Sequence, residues 1–483
     1  MAHQKEKVIG REKEKGQLDR CLNSTDPELV AIYGRRRVGK TFLVREHLAK
    51  QLVFELTGLQ SRSMRQQLEN CWLELQRYFP GQHIAQPESW INAFEQLRSL
   101  LETAKTKPGN KRVLFFDEFP WLDTRRSNFL NAFGKFWNDY ASRESNLVII
   151  ICGSAASWMI RKVIKGKGGL HNRVTTRICL QPFSLKETRQ YLKYRRVRLD
   201  DYQICQLYMA IGGVPLYLSW IKPGESTHQS IDRLCFDEGG MLKDEFQHLY
   251  AALFENHTQH VTVIRALAKK SSGLVRNELL AAMKLTSGGG ITTTIEELIQ
   301  SGFIHESPPR NNKKKGTVYR LKDEYSLFYL RWIETNRSSG NNIWMRKSSS
   351  PAYRTWCGYA FETLCLKHVA EIKNALSIGG VETEESSWFH RPVSEQDEGA
   401  QVDMVIDRRD RCINLCEMKF SEDTFTISKS YARDLERKVR VFKRVTKTRD
   451  TVFLTMVTSF GVKKNDYCNR LVNTEVTLSD LMK

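Results

Sequence analysis

The sequence has no apolar run long enough to cross a membrane and no framework of paired cysteines. Its apolar runs fall short of the ~18 to 20 residues that a spanning helix needs, and the opening stretch MAHQKEKVIGREKEKG contains no signal-peptide core. The 11 cysteines are spread from Cys21 to Cys468, which fits a reducing compartment better than a disulfide scaffold. Cys412 and Cys416 have no second Cys/His pair nearby at zinc-finger spacing, which argues against a zinc site there. We therefore expect a cytoplasmic protein without a membrane segment.

The charge of the chain is strongly unbalanced. Its 75 Lys and Arg residues against 55 Asp and Glu residues give a formal net charge of +20. An excess of this sign favours polyanionic partners, because each neutralised phosphate releases condensed counterions. A solubilising surface is the alternative explanation. The composition favours a nucleic acid as a partner without identifying a binding site.

Three regions differ in their apolar patterns, and no internal repeat is present. The first has buried strand-like runs alternating with helical stretches, which predicts a parallel α/β sheet. The second has three helical runs and then two short strands around a basic loop, the plan of a winged helix. The predicted boundaries are 1–235 for the first region, 236–334 for the winged helix, 335–352 for a polar linker and 353–483 for a C-terminal α/β domain.

The segment GRRRVGKT fits the phosphate-binding pattern G-x-x-x-x-G-K-[ST] and directly follows the strand-like run LVAIY. In this pattern the backbone N–H groups of a tight loop surround the phosphates, and a helix N-terminus points at them. We expect Lys40 to reach the β- and γ-phosphates of ATP and Thr41 to bind Mg²⁺. The predicted nucleotide-binding residues are Gly34, Arg35, Arg36, Arg37, Val38, Gly39, Lys40, Thr41 and Phe42.

The strand VLFFDEF supplies the acidic partners that this loop needs. We expect Asp117 to hold Mg²⁺ through a water and Glu118 to polarise the attacking water. Ser154, at the end of the run LVIIICGS, is a candidate for orienting that water or sensing the γ-phosphate. Arg173 is a candidate arginine finger, from the same or a neighbouring subunit, with Arg177 as its competitor.

The winged-helix region carries a basic loop where a wing would lie. Arg310, Lys313, Lys314 and Lys315 are placed to contact DNA phosphates without reading sequence. The helix ITTTIEELIQ, at the position of a recognition helix, has two glutamates and no Lys or Arg, which argues against strong major-groove binding.

The stretch VDMVIDRRDRCINLCEMKF predicts a charged hairpin. Pairing Arg408 with Cys412 leaves a three-residue loop and sets Asp403 opposite Glu417. Directly opposed Cβ atoms lie about 4.5–5.5 Å apart, so both carboxylates can share one divalent ion that activates water at a phosphodiester. Lys419 would stabilise charge or position the nucleophile.

The segments VIGREKEKGQLDRCL, DEFPWL, CGSAAS, LQPFSLKE and GGVPLYL, with SGFI, YRLKDEYSLFYLRWI and the hairpin, resemble the archaeal-type ATPase family, a branch of the AAA+/STAND P-loop ATPases. The resemblance covers nearly the whole chain. It implies ATP and Mg²⁺ as cofactors, a lid bearing GGVPLYL, residues near Ile9 to Glu12 beside the adenine, and a C-terminal domain similar to PD-(D/E)XK nucleases. In such nucleases a helical glutamate completes the metal site, which points to Glu362, and Gln401 resembles a position lining that site.

The fold class predicted is α/β: a P-loop AAA+-type ATPase domain with a helical lid, a winged-helix domain and a restriction-endonuclease-like C-terminal domain. Three functions stay open. The first is an ATPase whose nucleotide state controls a metal-dependent DNA nuclease; the second is an ATP-driven switch that binds DNA or a partner without cutting. The third, a transcription-factor-like binder, is disfavoured by its acidic helix. Assembly into a homo-oligomer in the ATP-bound state is compatible with each.

Overall fold

A computed structural model describes residues 7–104, 111–166, 170, 172–254, 257–284, 289–308, 316–338, 341–392 and 394–483. The chain divides into two units, Met1–Pro182 and Phe183–Lys483. In these residues no helix is both long enough and apolar enough to span a bilayer.

The first unit is an alternating α/β arrangement. Its strands are β1 (Glu28–Tyr33), β2 (Leu52–Thr57), β3 (Arg112–Asp117), β4 (Leu147–Gly153) and β5 (Thr176–Cys179). Its helices are α1 (Glu12–Asn23), α2 (Lys40–His47), α3 (Met64–Tyr78), α4 (Trp90–Thr103), α5 (Phe119–Leu122), α6 (Phe129–Asp139) and α7 (Ala156–Trp158). A 3₁₀ turn spans Ala141–Arg143 and a π-helical turn spans Met159–Ile164.

All five strands of this unit run parallel in the order β2-β3-β4-β1-β5. Every residue of β3 and β4 is buried, because helices cover both faces of a parallel sheet and leave no strand face in water. One face of β4 packs Ile149 and Ile151 into an aromatic-rich cluster, and the other packs Val148 and Ile150 against α2. The predicted parallel α/β domain is confirmed. The loops that follow β1, β3 and β4 meet at one edge of its sheet.

The second unit begins with a set of helices. They are α8 (Leu185–Tyr194), α9 (Asp201–Ile211), α10 (Pro215–Ser219), α11 (Thr227–Cys235), α12 (Glu245–Leu253), α13 (His257–Ala268), α14 (Arg276–Ala282) and α15 (Gly289–Gln300). Further along lie α16 (Glu324–Phe328), α17 (Ile343–Lys347), α18 (Pro351–Lys367), α19 (Val369–Ala375), α20 (Lys429–Thr446), α21 (Asp466–Leu471) and α22 (Leu478–Leu481), with a π-helical turn at Tyr329–Ile333. One hydrophobic core extends from Phe183 to Met482. The expected domain boundary at residue 235 therefore lies inside this unit, whose helices share that core.

A small sheet accompanies the three helices α13 to α15, with its first strand between α13 and α14 and its other two after α15. It contains β6 (Leu274–Val275), β7 (Ile304–Ser307) and β8 (Val318–Leu321) in the antiparallel order β6-β8-β7. The three helices and the two-stranded ribbon expected from the apolar spacing are confirmed. Their assignment as a winged helix stays a prediction.

A five-stranded sheet carries the C-terminal segment. Its strands are β9 (Thr383–His390), β10 (Ala400–Arg408), β11 (Cys412–Lys419), β12 (Thr451–Thr458) and β13 (Thr474–Thr477). They lie in the order β13-β12-β11-β10-β9, with the β9-β10-β11 part antiparallel and the β11-β12-β13 part parallel. Helix α20 packs its apolar face on β10 and β11 through Leu435 and Phe442.

The segment expected to be a polar linker, 335–352, contains the helix α17, whose Ile343 and Trp344 are buried. Trp344 is fully buried, and its backbone N–H donates to Asp232 Oδ1 at 2.5 Å. Its indole ring lies edge-on to Phe328, with centroids 4.8 Å apart. The assignment of 335–352 as a linker between domains stays a prediction, and the polar, Ser- and Asn-rich composition of this segment concealed one deeply packed tryptophan.

Candidate functional site

The loop between β1 and α2 has the backbone that phosphate binding requires. Gly34 has φ 145°, and a Cβ placed there would lie 2.2 Å from the carbonyl oxygen of Leu180. Gly39 has φ 90° and is the residue before α2. Both positions need glycine, because a side chain would be strained at these φ values and would collide at the first. The loop then delivers the N-terminus of an eight-residue helix to the edge of the sheet, where an anion is stabilised.

Lys40 and Thr41 lie where the sequence predicted them. The Lys40 ammonium is buried and donates to the carbonyl oxygens of Gly34 and Arg35, at 2.9 Å each. Thr41 Oγ1 donates to Asp117 Oδ2 at 2.6 Å. The hydroxyl and carboxylate expected to share Mg²⁺ are thus already in contact. This oxygen pair, beside a buried ammonium and a helix N-terminus, suits a nucleotide with a hard divalent cation.

Glu118 is held by Ser154. Its Oε2 accepts from the Ser154 hydroxyl at 2.8 Å and from the Ser154 backbone N–H at 3.2 Å. Glu118 itself has φ 44°, in the left-handed region that a non-glycine residue adopts only at some cost. Ser154 was expected to act on water or phosphate; the contact seen is with the carboxylate of Glu118. It fixes the direction of that carboxylate, and the sequence could not indicate this pairing.

The arginines of the first unit fall into two groups. Arg35 is buried and Arg37 has φ 69°, so both belong to the folded loop. Arg173 is exposed and lies just before β5, whose first residue pairs with Val30 near the start of β1. That is the edge of the sheet opposite the phosphate loop, which follows the end of β1. This position disfavours contact of Arg173 with a γ-phosphate in the same copy and leaves the role in a neighbouring copy as a prediction.

Of the remaining residues predicted at this site, Val38 is buried, Arg36 is partly exposed and Phe42 is 36% exposed. Arg11, within the segment expected beside the adenine, is buried and donates to the carbonyl oxygen of Val38 at 3.0 Å. The N-terminal segment therefore packs directly on the phosphate loop.

The second candidate site lies on the β10–β11 hairpin. The predicted register is confirmed: Arg408 pairs with Cys412 and Met404 with Cys416, which leaves the three-residue loop. Strand β10 is also irregular in its pairing with β9 between Val402 and Val405. Because of this bulge, simple alternation along β10 does not hold across Asp403, and its carboxylate accepts the backbone N–H of Met418 at 2.9 Å. Bulges commonly re-aim a side chain in this way.

Glu417 is almost fully buried, with 1% of its side chain exposed. Its Oε2 accepts from Lys438 Nζ at 2.7 Å and from the Tyr431 hydroxyl at 3.2 Å, both on α20. Its Oε1 is buried without a hydrogen-bond partner. Burial, and then the charge of Asp403, raises the pKa of the Glu417 carboxyl, while Lys438 and Lys419 oppose the rise. Lys438, twenty-one residues downstream, was missed because its helix gave no local sign of this contact.

Lys419 connects the two carboxylates. Its ammonium is 3.9 Å from Asp403 Oδ2 and 3.7 Å from Glu417 Oε2. Glu362, on α18, joins them: burial, and then the charge of Asp403, raises the pKa of its carboxyl to about 7. Arg320 of β8 also lies within electrostatic reach of Glu362 and Asp403. The structure thus brings together all four residues predicted for this site, and it adds Arg320 from a distant strand.

The metal-ligand roles predicted here stay predictions. Among the residues that the structure describes, no group of three or more His, Cys, Asp and Glu side chains is arranged to hold a metal ion. Mg²⁺ commonly binds through only one or two carboxylates, with water and substrate phosphate completing its shell. The buried, unpartnered oxygen of Glu417 beside Asp403 suits such a two-carboxylate site.

The remaining predicted positions are Gln401 and the basic loop. Gln401 is exposed and pairs with Phe389 of β9. The basic loop residues Arg310, Lys313, Lys314 and Lys315 lie outside the described residues.

Comparison with known proteins supports an ATPase domain in the first unit. Residues 9–221 match the model of a family described as "ATPase domain predominantly from Archaea". This segment includes the phosphate loop, Asp117 and Glu118, and the match supports an ATPase domain of the archaeal type. It covers less than half of the chain and does not include the β10–β11 hairpin.

Longer similarities extend over most of the chain. It is 23% identical over 444 residues to an uncharacterized protein of Methanocaldococcus jannaschii, covering 90% of this chain and 92% of that protein. A solved Walker-type ATPase of Pyrococcus abyssi, 18% identical, covers 67% of this chain and 96% of its own with a TM-score of 0.50, which shows a shared fold. The ORC2 protein of Aeropyrum pernix, 12% identical, covers 71% of this chain and 96% of its own with a TM-score of 0.42.

Proposed function

We propose that this protein binds and hydrolyses ATP in its first unit and that nucleotide state controls a metal-dependent DNA phosphodiesterase site on the β10–β11 hairpin. The observation that carries the second part is the Glu417 carboxylate, which is buried and has one oxygen without a partner beside Asp403 and Lys419. An unsatisfied buried carboxylate oxygen costs stability, and a bound cation would remove that cost.

Each contact observed at the nucleotide site has a role in the proposed hydrolysis of ATP. Lys40 gives up its bonds to Gly34 and Arg35 when phosphate oxygens take their place. Thr41 and Asp117 would hold Mg²⁺, which would neutralise charge developing on the phosphates. Glu118, aimed by Ser154, accepts a proton from the attacking water.

The hairpin site supplies what phosphodiester hydrolysis needs. Asp403 and Glu417 would hold a divalent ion, which polarises the phosphate and lowers the pKa of a bound water. Lys419, within 4 Å of both carboxylates, is placed to stabilise negative charge on the phosphate. Glu362, on α18, interacts electrostatically with Asp403 and Lys419. The formal charge of +20 favours a polyanionic substrate.

The test is cleavage of plasmid and oligonucleotide DNA with Mg²⁺ or Mn²⁺ in the presence of ATP, ADP or no nucleotide. We expect cleavage that depends on the metal and on nucleotide state, and we expect Asp403→Asn and Glu417→Gln to lose it. Glu384→Gln, an exposed carboxylate on β9 of the same sheet, is the matched control and should cleave normally. Intact DNA under every condition, with a folded protein that hydrolyses ATP, would refute the phosphodiesterase.

One observation favours a second candidate function, an ATP-driven switch that binds DNA or a partner without cutting. Lys438 already neutralises Glu417 through a 2.7 Å ion pair, so the carboxylate has a structural role available. This candidate predicts that Asp403→Ala and Glu417→Ala preserve biological activity while Lys40→Ala abolishes it. The nuclease predicts that all three abolish it.

A further inference from the structure

A cavity of about 630 Å³ lies in the second unit, between the three-stranded sheet and the β9–β10 edge of the five-stranded sheet. One wall is formed by β6 and β8 with the turn before them, and the other by the end of β9 and the start of β10. We call this cavity the intersheet groove. It differs from both sites described above, because no residue of the phosphate loop and none of the three hairpin-site carboxylates lines it.

The groove is basic. Four cationic side chains line it, Lys270, Arg320, Arg391 and Arg437, against one carboxylate, Glu278. Glu278 is shared, since Lys270 lies 3.2 Å and Arg391 3.7 Å from its oxygens. The arginine Arg391 is also well exposed, with 75% of its side chain accessible. An excess of positive charge in a cleft with low-dielectric walls concentrates a polyanion there.

An exposed aromatic ring lies in the wall of the groove. Phe389 is 52% exposed although it lies in a strand, and the guanidinium of Arg391 is 5.7 Å from its ring centroid. A large apolar side chain left open to solvent beside arginines suits a ligand with both a flat apolar face and a negative charge. Nucleobases stack on such rings regardless of sequence, and the flanking cations take the phosphates.

The groove leads to the hairpin site. Gln401 and Val402 line it, and Asp403 is the next residue along β10. Arg320 lines it as well, and the same guanidinium lies within electrostatic reach of Glu362 and Asp403. A chain that follows the groove toward Arg320 therefore brings a phosphodiester to the carboxylates.

The size of the groove and its exposed ring select the form of the nucleic acid. Cavities of roughly 300–1,000 Å³ enclose a drug-sized ligand, which is about the size of one or two nucleotide units. A duplex keeps its bases paired and stacked on one another, so it does not present a base face to Phe389. An unpaired strand does, since its bases are free to stack.

We propose that the intersheet groove binds single-stranded DNA, with a base stacked on Phe389, phosphates held by Arg391 and Arg437, and the strand directed past Arg320 to Asp403. Delivery to a cleaving site rests on the proposed function. Binding of DNA in the groove does not depend on the proposed function, and it can be measured after divalent metal ions have been removed.

The experiment is fluorescence anisotropy of a labelled oligothymidine of about 12 nucleotides, measured with the full-length protein in EDTA across a range of salt concentrations. Phe389→Ala should weaken binding about thirtyfold, the middle of the range for removing one stacking ring. Arg391→Ala and Arg437→Ala should each reduce the slope of log affinity against log salt by about one.

The matched control is Arg470→Ala. Arg470 is a surface arginine that pairs with Glu436 and lies 6.0 Å from the Tyr467 ring, like Arg391 beside Phe389, and it does not line the groove. It should bind the oligonucleotide as the parent protein does. Circular dichroism of each variant checks that the exposed substitutions leave the fold intact.

Two further ligands test which form of nucleic acid the groove binds. A hairpin duplex of the same length should bind at least tenfold more weakly than the oligothymidine, and oligouridine should bind no tighter. Unchanged binding in the three groove variants, or tighter binding of duplex or of oligouridine, would overturn the inference. Groove-dependent binding without cleavage would overturn the phosphodiesterase alone. Unchanged binding in the groove variants, together with unaffected cleavage, would overturn the groove alone.

Discussion

Replacing Lys438 by Met tests the environment of Glu417 directly. The ammonium and the carboxylate are 2.7 Å apart, and the side chains are 14% and 1% exposed. At an effective dielectric constant of about 20 this separation corresponds to an attraction of about 6 kcal/mol. Both groups lose hydration on burial, so the net value is smaller.

The substitution should cost more than the loss of a surface ion pair, because it leaves the carboxylate behind. Removing one member of a buried pair typically costs about 3–5 kcal/mol. Lys419 remains 3.7 Å from Glu417 and Lys438 is not fully buried, which places the expected cost near the lower end, about 3 kcal/mol. Replacing Glu417 by Gln as well removes the stranded charge, and the double variant should lose less than the sum of the single variants.

Hydrogen exchange is the suitable assay, since it reports the free energy of local opening for peptides from β11 and α20 separately from the rest of the chain. Lys443→Met, an exposed lysine on the same helix, is the control and should change this free energy by less than about 0.5 kcal/mol. Mn²⁺ should stabilise Lys438→Met more than the parent, because the cation replaces the missing ammonium. Equal protection in Lys438→Met and Lys443→Met would refute the reasoning.

Three further outcomes are expected. Ser154→Ala should lower kcat for ATP hydrolysis about tenfold with an unchanged KM, because Glu118 loses the hydroxyl that aims it; Ser154→Thr should restore the rate, and a change confined to KM would contradict this role. Gly34→Ala should abolish ATP binding in a calorimetric titration, since its Cβ would lie 2.2 Å from the carbonyl oxygen of Leu180; retained affinity would show that the loop can shift. Burial lowers the pKa of His368 to about 4, and its Nε2 accepts the Leu185 backbone N–H at 3.1 Å. Because the unfolded state binds the proton more readily, the free energy of unfolding should fall by about 3 kcal/mol as pH falls from about 6.5 to 4. Urea titrations of His368→Gln should not show this pH-dependent loss. An equal loss in the parent protein and in His368→Gln would contradict the role of His368.

Sequence reasoning succeeded where a pattern is local. The strands before the phosphate loop and before Asp117 are uninterrupted apolar runs, and the buried parallel sheet follows from them. The hairpin register followed from two strands and a short loop, and Arg408 does pair with Cys412. These features depend on residues near one another in the chain, so their spacing contains the information.

The rest depended on contacts between distant elements. Nothing around Lys438 marks it as the partner of Glu417, and nothing around Arg320 connects β8 with the carboxylates. The bulge before Val405 turned Asp403 toward a backbone N–H that alternation could not predict. The burial of Trp344 in a polar stretch was hidden for the same reason, since Asp232, which fixes its backbone, is more than a hundred residues away.

The charges at the hairpin site indicate how binding of a metal ion would be coupled to binding of a polyanion. Three carboxylates, Glu362, Asp403 and Glu417, are surrounded by three cations that come from different elements: Arg320 on β8, Lys419 on β11 and Lys438 on α20. Burial, and then the charge of Asp403, raises the pKa of Glu362 and Glu417, and the surrounding lysine and arginine charges oppose this rise. A divalent ion at Asp403 and Glu417 would compete with the Lys438 ammonium for the same carboxylate. Metal binding should then free that ammonium for a phosphate, which couples occupancy of the metal site to affinity for the polyanion.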